Sequence, residues 1–292
     1  MRGHPDYPVY RCNHCTLVFL EPPNRDLREY YRTDYRKEHD HTPGKVSTVE
    51  ERFAFQQRFS QKSAKNFREH VPAGASVLEI GCSAGGFLSH LQGDYDLFGC
   101  EWNPEDARYV RETGEVPCEE GLLPDIFPGR KFTAIVAISV LEHQADPLEF
   151  IRQCRDRLIG GGYLYLEVPN LRDALLSFYD LASYADFYFR LPHITYWTGE
   201  PLASLLATMG FETRLSLLQR YGLANHLHWL LDGTPMLNPY QAREHFRPVP
   251  NAHAIGPVLN RLWSRLDEDY RLQMLNLFGA DTLVAASRRQ EI

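Results

Sequence analysis

A β-rich run passes into a glycine-rich turn in the segment Ser76-Val77-Leu78-Glu79-Ile80-Gly81-Cys82-Ser83-Ala84-Gly85-Gly86-Phe87-Leu88. The apolar residues of 76–80 predict a strand, and the small residues after them predict a tight turn into a helix. Glycines at such a turn allow a ligand to approach the backbone at the carboxyl edge of a sheet. The segment therefore predicts a ligand site at the end of a strand, with tight packing alone as the alternative.

Two acidic residues flank this turn. Glu101 lies 20 residues after Gly81, at the end of the next predicted strand, where a carboxylate can bind a ribose diol. Glu79 would repel a pyrophosphate at the start of the following helix, but it would attract an ammonium or sulfonium group. The pair favours a ligand with a ribose, an adenine, no phosphate and a cationic end, as in S-adenosylmethionine. A helix cap or a salt bridge is the other role open to Glu79.

Short β-rich runs alternate with helical stretches through the rest of the chain, which predicts a parallel sheet wound by crossover helices. We expect strands at residues 76–80, 96–100, 116–118, 133–138, 163–168, 211–218 and 280–287. We expect helices at residues 86–92, 104–113, 147–158, ended by the glycines at 160–162, and 198–209. The predicted fold is α/β, with a doubly wound, seven-stranded, mostly parallel sheet, a small N-terminal β-rich module and helical insertions.

Three regions are expected along the chain. Residues 1–48 form a small module with a β hairpin around Cys12 and Cys15. Residues 49–219 form the α/β core, which starts with one amphipathic helix over 49–70 and carries an aromatic insertion at 170–194. Residues 220–292 form a substrate-side insertion and a closing strand.

The composition is that of an ordinary soluble protein of 292 residues, with 43% hydrophobic and 24% charged residues. A net charge of −7 gives no global support for binding nucleic acid or anionic lipid. No apolar run approaches the roughly 20 residues of a membrane span, and no secretory signal opens the sequence. We therefore expect a cytoplasmic protein with a small-molecule partner, no nucleic acid and no membrane.

The sequence resembles the class I S-adenosylmethionine-dependent methyltransferases, which have a Rossmann-like fold. Their acidic-x-Gly-x-Gly-x-Gly motif matches residues 79–85, with Ser83 in place of the middle glycine, and Glu101 matches their ribose-binding acid. Residues 132–143 are similar to their fourth-strand motif, with Thr133 where aspartate is usual. The resemblance, which spans about 75–215, implies a cofactor site made of Glu79, Gly81, Cys82, Ser83, Gly85, Glu101, Trp102, Gly121, Leu122 and Ser139.

Residues 10–23 resemble the end of the Cys-rich module that precedes the core in sugar C-methyltransferases. Structural zinc requires four ligands, and Cys12 and Cys15 supply two. The second Cys pair of that module has no counterpart here, although histidines at 4, 14, 39 or 41 could replace it. Bound zinc is therefore possible, but reduced cysteines at a packed turn are the expected state.

The same branch places Tyr-x-Glu-His over its acceptor, and here Arg190 and Pro192 replace the tyrosine and the glutamate while His193 is retained. We therefore expect O- or N-methylation rather than C-methylation, with His193 as the base and His143 as a second candidate. A linker role fixed by hydrogen bonds is the alternative for His193. The candidate substrate contacts are Tyr35, Tyr196, Asn225, His226 and Trp229.

The expected function is methylation of a small-molecule acceptor, such as a sugar, a nucleotide-linked sugar or a related biosynthetic metabolite. Two alternatives remain. A nicotinamide-dependent oxidoreductase uses the same type of sheet and would also employ Glu101. A non-catalytic subunit could keep the cofactor fold without an acceptor base, as Pro192 indicates. The oligomeric state is unknown.

Overall fold

The computed structural model describes residues 8–21, 30, 46–244, 247–248 and 254–291, so Tyr35 lies outside the described residues. Its main element is a seven-stranded sheet. The strands of the chain are β1 (Val9–Arg11), β2 (Val18–Leu20), β3 (Ser76–Ile80), β4 (Asp96–Glu101), β5 (Cys118–Glu120), β6 (Phe132–Ile138), β7 (Leu158–Pro169), β8 (Thr195–Tyr196), β9 (Phe211–Leu218) and β10 (Thr282–Arg289).

The large sheet has the strand order β5-β4-β3-β6-β7-β10-β9. The pairs from β5 to β7 are parallel, and β10 is antiparallel to both of its neighbours. The chain winds outward from β3 in both directions, so the order reverses there. Ligands of doubly wound sheets bind at such a reversal, beyond the carboxyl ends of the strands. The α/β fold expected from the sequence is confirmed.

The described helices are α1 (Val49–Phe59), α2 (Gln61–Arg68), α3 (Pro104–Glu112), α4 (Pro147–Arg157), α5 (Ala174–Ser177), α6 (Ala182–Tyr188), α7 (Gly199–Thr208), α8 (Leu223–Asp232), α9 (Pro239–Arg243) and α10 (Gly256–Asn276). The single helix expected over 49–70 is wrong, because it is divided at Ser60. The Ser60 hydroxyl donates to the Gln56 carbonyl oxygen at 2.7 Å, a side-chain bond that often bends helices. Thr48 and Glu51 form a capping box at the start of α1.

Three other expectations also differ from the structure. Only one 3₁₀ turn, Leu88–His90, forms where a helix was expected over 86–92. A Cβ at Gly86 would lie 2.4 Å from the Gln57 nitrogen, so α1 presses on the point where that helix would begin. The glycines at 160–162 do not end α4 but belong to β7, where the pairing with β6 shifts between Phe132 and Ala134. In addition, the third strand lies at 118–120 rather than 116–118.

The expected N-terminal hairpin is present and continues into a three-stranded antiparallel sheet, β1-β2-β8. Strand β8 belongs to the linker that follows the aromatic insertion. A shared apolar cluster joins the hairpin, the insertion and α8, and it consists of Val18, Leu20, Leu175, Tyr184, Tyr188, Tyr196 and Trp229. The hairpin therefore holds the linker that carries His193. Among the described helices, none has the length and apolar character needed to traverse a bilayer.

Candidate active site

A cavity of about 600 Å³ lies at the carboxyl ends of β3, β4 and β6, where the strand order reverses. Residues from each strand end line it, and helices α1 and α2 form the opposite wall. The lining includes Phe55, Gln56, Phe59, Ser63, Glu79, Gly81, Cys82, Ser83, Glu101, Trp102, Leu122, Ser139, His143, Gln144, Arg220 and Arg243.

The glycine-rich turn, residues 81–86, follows β3 directly. Gly81 has a φ of +69°, and a Cβ there would lie 2.9 Å from the Val140 side chain. Ser83 has a φ of +45°, which costs a non-glycine residue about 1 to 3 kcal/mol. Two hydrogen bonds offset this cost. The Ser83 amide donates to Glu101 Oε2 at 2.9 Å, and its hydroxyl donates to Asp106 Oδ2 at 2.9 Å.

Helix α1 is fastened onto this turn by a buried ion pair. Arg52, which is 2% exposed, donates from Nε to Asp106 Oδ1 at 2.9 Å, and Asp106 is fully buried. Arg52 also pairs with Glu105 at 2.6 Å. The ion pair links residues 54 positions apart and supports the carboxylate that holds Ser83. Sequence reasoning missed it, because no local pattern marks Arg52 as the partner of Asp106.

Glu79 gives the cavity a negative end. Its side chain is 4% exposed, and among the described residues its Oε2 atom has no hydrogen-bond partner. Burial raises the pKa of Glu79 well above its usual range, and Cys118, Glu101 and Glu167 act in the same direction. A buried carboxylate without a partner strongly favours a cationic group beside it. The residues present therefore fit the ammonium end of S-adenosylmethionine.

Glu101 is held in place by backbone donors. Its two oxygens accept one amide hydrogen bond each, from Ser83 and from Asn103, both at 2.9 Å. Carboxylate oxygens accept hydrogen bonds and can bind ribose hydroxyls. This geometry suits the role expected for Glu101.

Eight of the ten residues expected at the cofactor site line the cavity: Glu79, Gly81, Cys82, Ser83, Glu101, Trp102, Leu122 and Ser139. Gly85 and Gly121 do not. A Cβ at Gly85 would meet Val110 at 3.0 Å, so this glycine serves close packing beneath the turn. The Gly121 amide donates to the Glu101 carbonyl oxygen at 3.1 Å.

Three ionisable side chains meet at the other end of the cavity, and we call Glu142, His143 and His193 the Glu142 cluster. Their potential ligand atoms lie within 4.8 Å of one another, close enough for a shared proton or cation. The His143 and His193 ring centroids are 4.9 Å apart. His143 lines the cavity, whereas His193 lies behind it and Glu142 is only 2% exposed.

The Glu142 cluster has perturbed acidities. Burial raises the pKa of Glu142 to about 8, against the opposing effects of its own backbone amide and of the Arg220 cation. Neither carboxylate oxygen has a hydrogen bond to the side chain of a described residue. Burial also lowers the pKa of His143 to about 4, so its ring is neutral. The His143 Nδ1 atom lies 3.2 Å from the Pro192 carbonyl oxygen. Such a carbonyl selects Nδ1–H and leaves Nε2, 3.9 Å from Glu142 Oε1, as the acceptor.

The linker and the turn after β6 are tied together by backbone bonds, including Ile194 N–H to the Glu142 carbonyl oxygen at 2.7 Å. This contact places the Glu142 carboxylate near His193, although Pro192 occupies the position where the resembled branch has glutamate. Sequence reasoning missed Glu142 as a functional residue. The sequence feature that could have identified Glu142 is its position directly before His143, just after the fourth strand of the core.

The structure does not bring the described substrate candidates to the cavity. The Tyr196 hydroxyl accepts from the Arg190 amide at 3.0 Å and also bonds the His193 carbonyl. Trp229 is 2% exposed and packs edge-on against Tyr184, with centroids 4.9 Å apart. Asn225 and His226 are also buried in α8, where His226 Nδ1 lies 2.6 Å from the Tyr270 hydroxyl. Their surroundings are those of packed residues, and substrate contact stays a prediction.

Cys12 and Cys15 lie in the turn of the N-terminal hairpin, where Cys12 is partly buried and Cys15 is exposed. Within the described residues, no third or fourth ligand joins them, since the Glu142 cluster is the one group there with metal-ligand spacing. His4, His39 and His41 lie outside the described part of the chain. Zinc is not shown at this turn.

Two curated proteins are similar to parts of this chain. A tRNA U34 carboxymethyltransferase of Pseudoalteromonas translucida (strain TAC 125) is 28% identical over 110 residues, covering 32% of each chain. A ubiquinone biosynthesis O-methyltransferase of Xanthomonas axonopodis pv. citri (strain 306) is 31% identical over 115 residues, covering 36% of this chain and 48% of the relative. The chain thus spans less than half the length of either relative.

A solved structure shares the fold. The magnesium protoporphyrin IX methyltransferase of Synechocystis PCC 6803, with bound S-adenosylhomocysteine, superposes with a TM-score of 0.52 at 11% identity, covering 90% of this chain and 98% of that one. A family model for a methyltransferase domain matches residues 50–216, more than half of the chain. That match favours the methyltransferase interpretation over the oxidoreductase alternative. The chain belongs to the methyltransferase domain family.

Proposed function

We propose that the protein is an S-adenosylmethionine-dependent methyltransferase of a small-molecule acceptor, with a sugar, a nucleotide-linked sugar or a related metabolite as the substrate class. The observation that carries the proposal is the buried side chain of Glu79, whose Oε2 atom has no hydrogen-bond partner among the described residues and which faces the same cavity as Glu101. A diphosphate cofactor would be repelled by Glu79, whereas a cationic amino-acid end is attracted. A cytoplasmic location is part of this proposal.

The cofactor end is formed by Glu79, Glu101 and the glycine-rich turn. Glu79 would hold the ammonium group, and Glu101 would accept hydrogen bonds from the ribose hydroxyls. When bound, S-adenosylmethionine would supply a methyl group on a positively charged sulfur. The chain would then hold the acceptor atom in line with the methyl group and exclude water. Its main contribution to the rate would be proximity and orientation.

The Glu142 cluster would remove the proton of the acceptor. His143 lines the cavity with a neutral ring, His193 lies against it, and Glu142 has a pKa of about 8 because it is buried. General bases act best when their pKa lies near the working pH. Such a group can accept the proton of a hydroxyl or an amine, which supports O- or N-methylation.

A small acceptor is favoured by the size of the site. A cavity of about 600 Å³ is typical of small-molecule sites. One relative is named for ubiquinone biosynthesis and the other for a tRNA base, so the names of the relatives leave both classes open. The net charge of −7 argues against a polynucleotide.

Calorimetric titration of S-adenosylhomocysteine into the full chain tests the proposal. We expect one binding site in the parent protein. In Glu101→Ala the affinity should fall about 100-fold, because charge-assisted hydrogen bonds contribute roughly 1.5 to 3 kcal/mol each. NADH serves as the control ligand and should give no heat. Absence of binding to the parent protein, or preferential binding of NADH, contradicts the proposal.

A further inference from the structure

A second recess, of about 350 Å³, opens beside the main cavity. The two spaces share Phe59, Ser63, Arg220 and Arg243 as wall residues, so a ligand can extend from one into the other. The recess lies between the junction of α1 and α2, the end of β9, and helices α9 and α10. We call it the basic recess.

The basic recess concentrates positive charge in a chain whose net charge is −7. In the described part of the chain its wall contains a single acidic side chain, Glu244. The cationic residues of the wall are Arg58, Lys62, Arg220, Arg243, Arg247 and Arg271. Such a clustering raises the local concentration of anions even on an acidic protein.

Half of these cations are neutralised by carboxylates. Arg220 pairs with Glu167, which is fully buried and also accepts hydrogen bonds from Ser63 and Tyr165. Arg271 donates to Asp267 at 2.8 Å. Arg58 and Glu244 form the third pair. These three arginines therefore build the wall and add little net charge to the space inside.

The other half carry uncompensated charge with respect to the described residues. Lys62 and Arg247 form no ion pair or hydrogen bond there. The Arg243 guanidinium lies 5.3 Å from the Phe55 ring centroid and 5.0 Å from that of Tyr221, and its one side-chain hydrogen bond goes to the Tyr221 hydroxyl at 3.2 Å. Stacking on rings orients a guanidinium and leaves its edge free to donate.

The pKa of Lys62 is consistent with uncompensated positive charge in the basic recess. Partial burial lowers the pKa of Lys62, and the nearby Arg271 cation lowers it further, while Asp281 and Asp267 oppose the change. An oxyanion at this place would relieve the repulsion between the cations. A phosphoryl group suits Lys62, Arg243 and Arg247, because arginine and lysine bind phosphoryl oxygens through charge-assisted hydrogen bonds.

We propose that the basic recess, through Lys62, Arg243 and Arg247, binds a phosphate or diphosphate group of the methyl acceptor. The acceptor then extends past Phe59 into the main cavity, towards the Glu142 cluster. The inference rests on the proposed function for the identity of the ligand as an acceptor. A polynucleotide is not favoured, because its backbone requires a long basic track and this recess is small.

Titration of pyrophosphate and of inorganic phosphate into the full chain tests the inference, with and without saturating S-adenosylhomocysteine. We expect saturable binding, tighter for pyrophosphate. Lys62→Met should weaken pyrophosphate binding about tenfold or more, since it removes one charge-assisted bond. Lys65→Met is the matched control. It removes the same charge from the same helix, lines neither cavity, and should change the affinity by about twofold at most.

Arg247→Gln is a second variant, on a separate segment, and it should also weaken pyrophosphate binding. The inference is overturned if pyrophosphate gives no heat, or if Lys62→Met and Lys65→Met lose affinity equally. Tighter binding of a short single-stranded oligoribonucleotide than of pyrophosphate would overturn it in favour of a nucleic acid. Failure of S-adenosylhomocysteine alone would contradict the proposed function, while the pyrophosphate titration without it still tests the recess.

Discussion

The glycine-rich turn and the Glu142 cluster, which reaches the cavity through His143, lie at the same cavity but are assembled in different ways. The turn and its two carboxylates come from one segment between residues 79 and 101, which consists of a strand, the turn, a short 3₁₀ turn and the next strand. The Glu142 cluster brings together the end of β6 and a linker about fifty residues later, and the N-terminal hairpin holds that linker through the pairing of β2 with β8. A site built locally can be interpreted from spacing, whereas a site built from distant segments cannot.

The turn nevertheless depends on one distant contact, the ion pair between Arg52 and Asp106. Arg52→Met should lower the free energy of unfolding by about 3 to 5 kcal/mol, because it leaves Asp106 buried without its cation. Urea denaturation measures this change. Arg152→Met removes an exposed arginine that pairs with Glu149, and it should leave the free energy of unfolding nearly unchanged. Equal losses in the two variants would mean that α1 is not fastened through Asp106.

Glu142→Gln should distinguish the two ends of the cavity, because it should affect methyl transfer but not cofactor binding. We expect methyl transfer to slow by at least about 100-fold, because the cluster loses the group that takes up the proton. The dissociation constant of S-adenosylhomocysteine should stay within about twofold, since Glu142 does not line the cavity. The rate is measured as product release with any acceptor that the protein methylates. A variant with full activity would remove Glu142 from the mechanism.

Glu79→Gln should have the opposite pattern, with S-adenosylhomocysteine affinity falling about 10- to 30-fold because the ammonium loses its counter-charge. The pH dependence adds a second measurement. Burial raises the pKa of Glu79, and the cationic ligand favours the ionised form, so the affinity of the parent protein should rise with pH as Glu79 ionises. The variant should lack this rise. A parallel rise in both proteins would assign it to another group.

Trp229→Phe should have the smallest effect and tests a sequence-based prediction directly. Trp229 packs against Tyr184 and Phe187 in the apolar cluster, so the smaller ring should cost about 1 to 2 kcal/mol of stability. The KM for the acceptor should not change. An increased KM at unchanged stability would instead restore Trp229 as a substrate contact, as the sequence predicted.

Local patterns predicted the seven strands of the large sheet to within a few residues, because short β-rich runs alternate with helical stretches and turn residues along the chain. They failed where a distant segment intervenes. The helix expected after Gly86 is shortened under α1, and the glycines at 160–162 enter β7 instead of ending α4. Glu142 lies beside His193 although Pro192 stands where the resembled branch has glutamate, and spacing along the chain could not predict this contact.

From the sequence alone, the α/β fold, the glycine-rich turn and the acidic pair of Glu79 and Glu101 could be determined, since all follow from residues close together along the chain. Only the tertiary structure decided the partner of Arg52, the Glu142 cluster and the basic recess. These features depend on which faces of separate elements meet. That choice is made by burying the apolar surface of the whole chain, and no short segment encodes it.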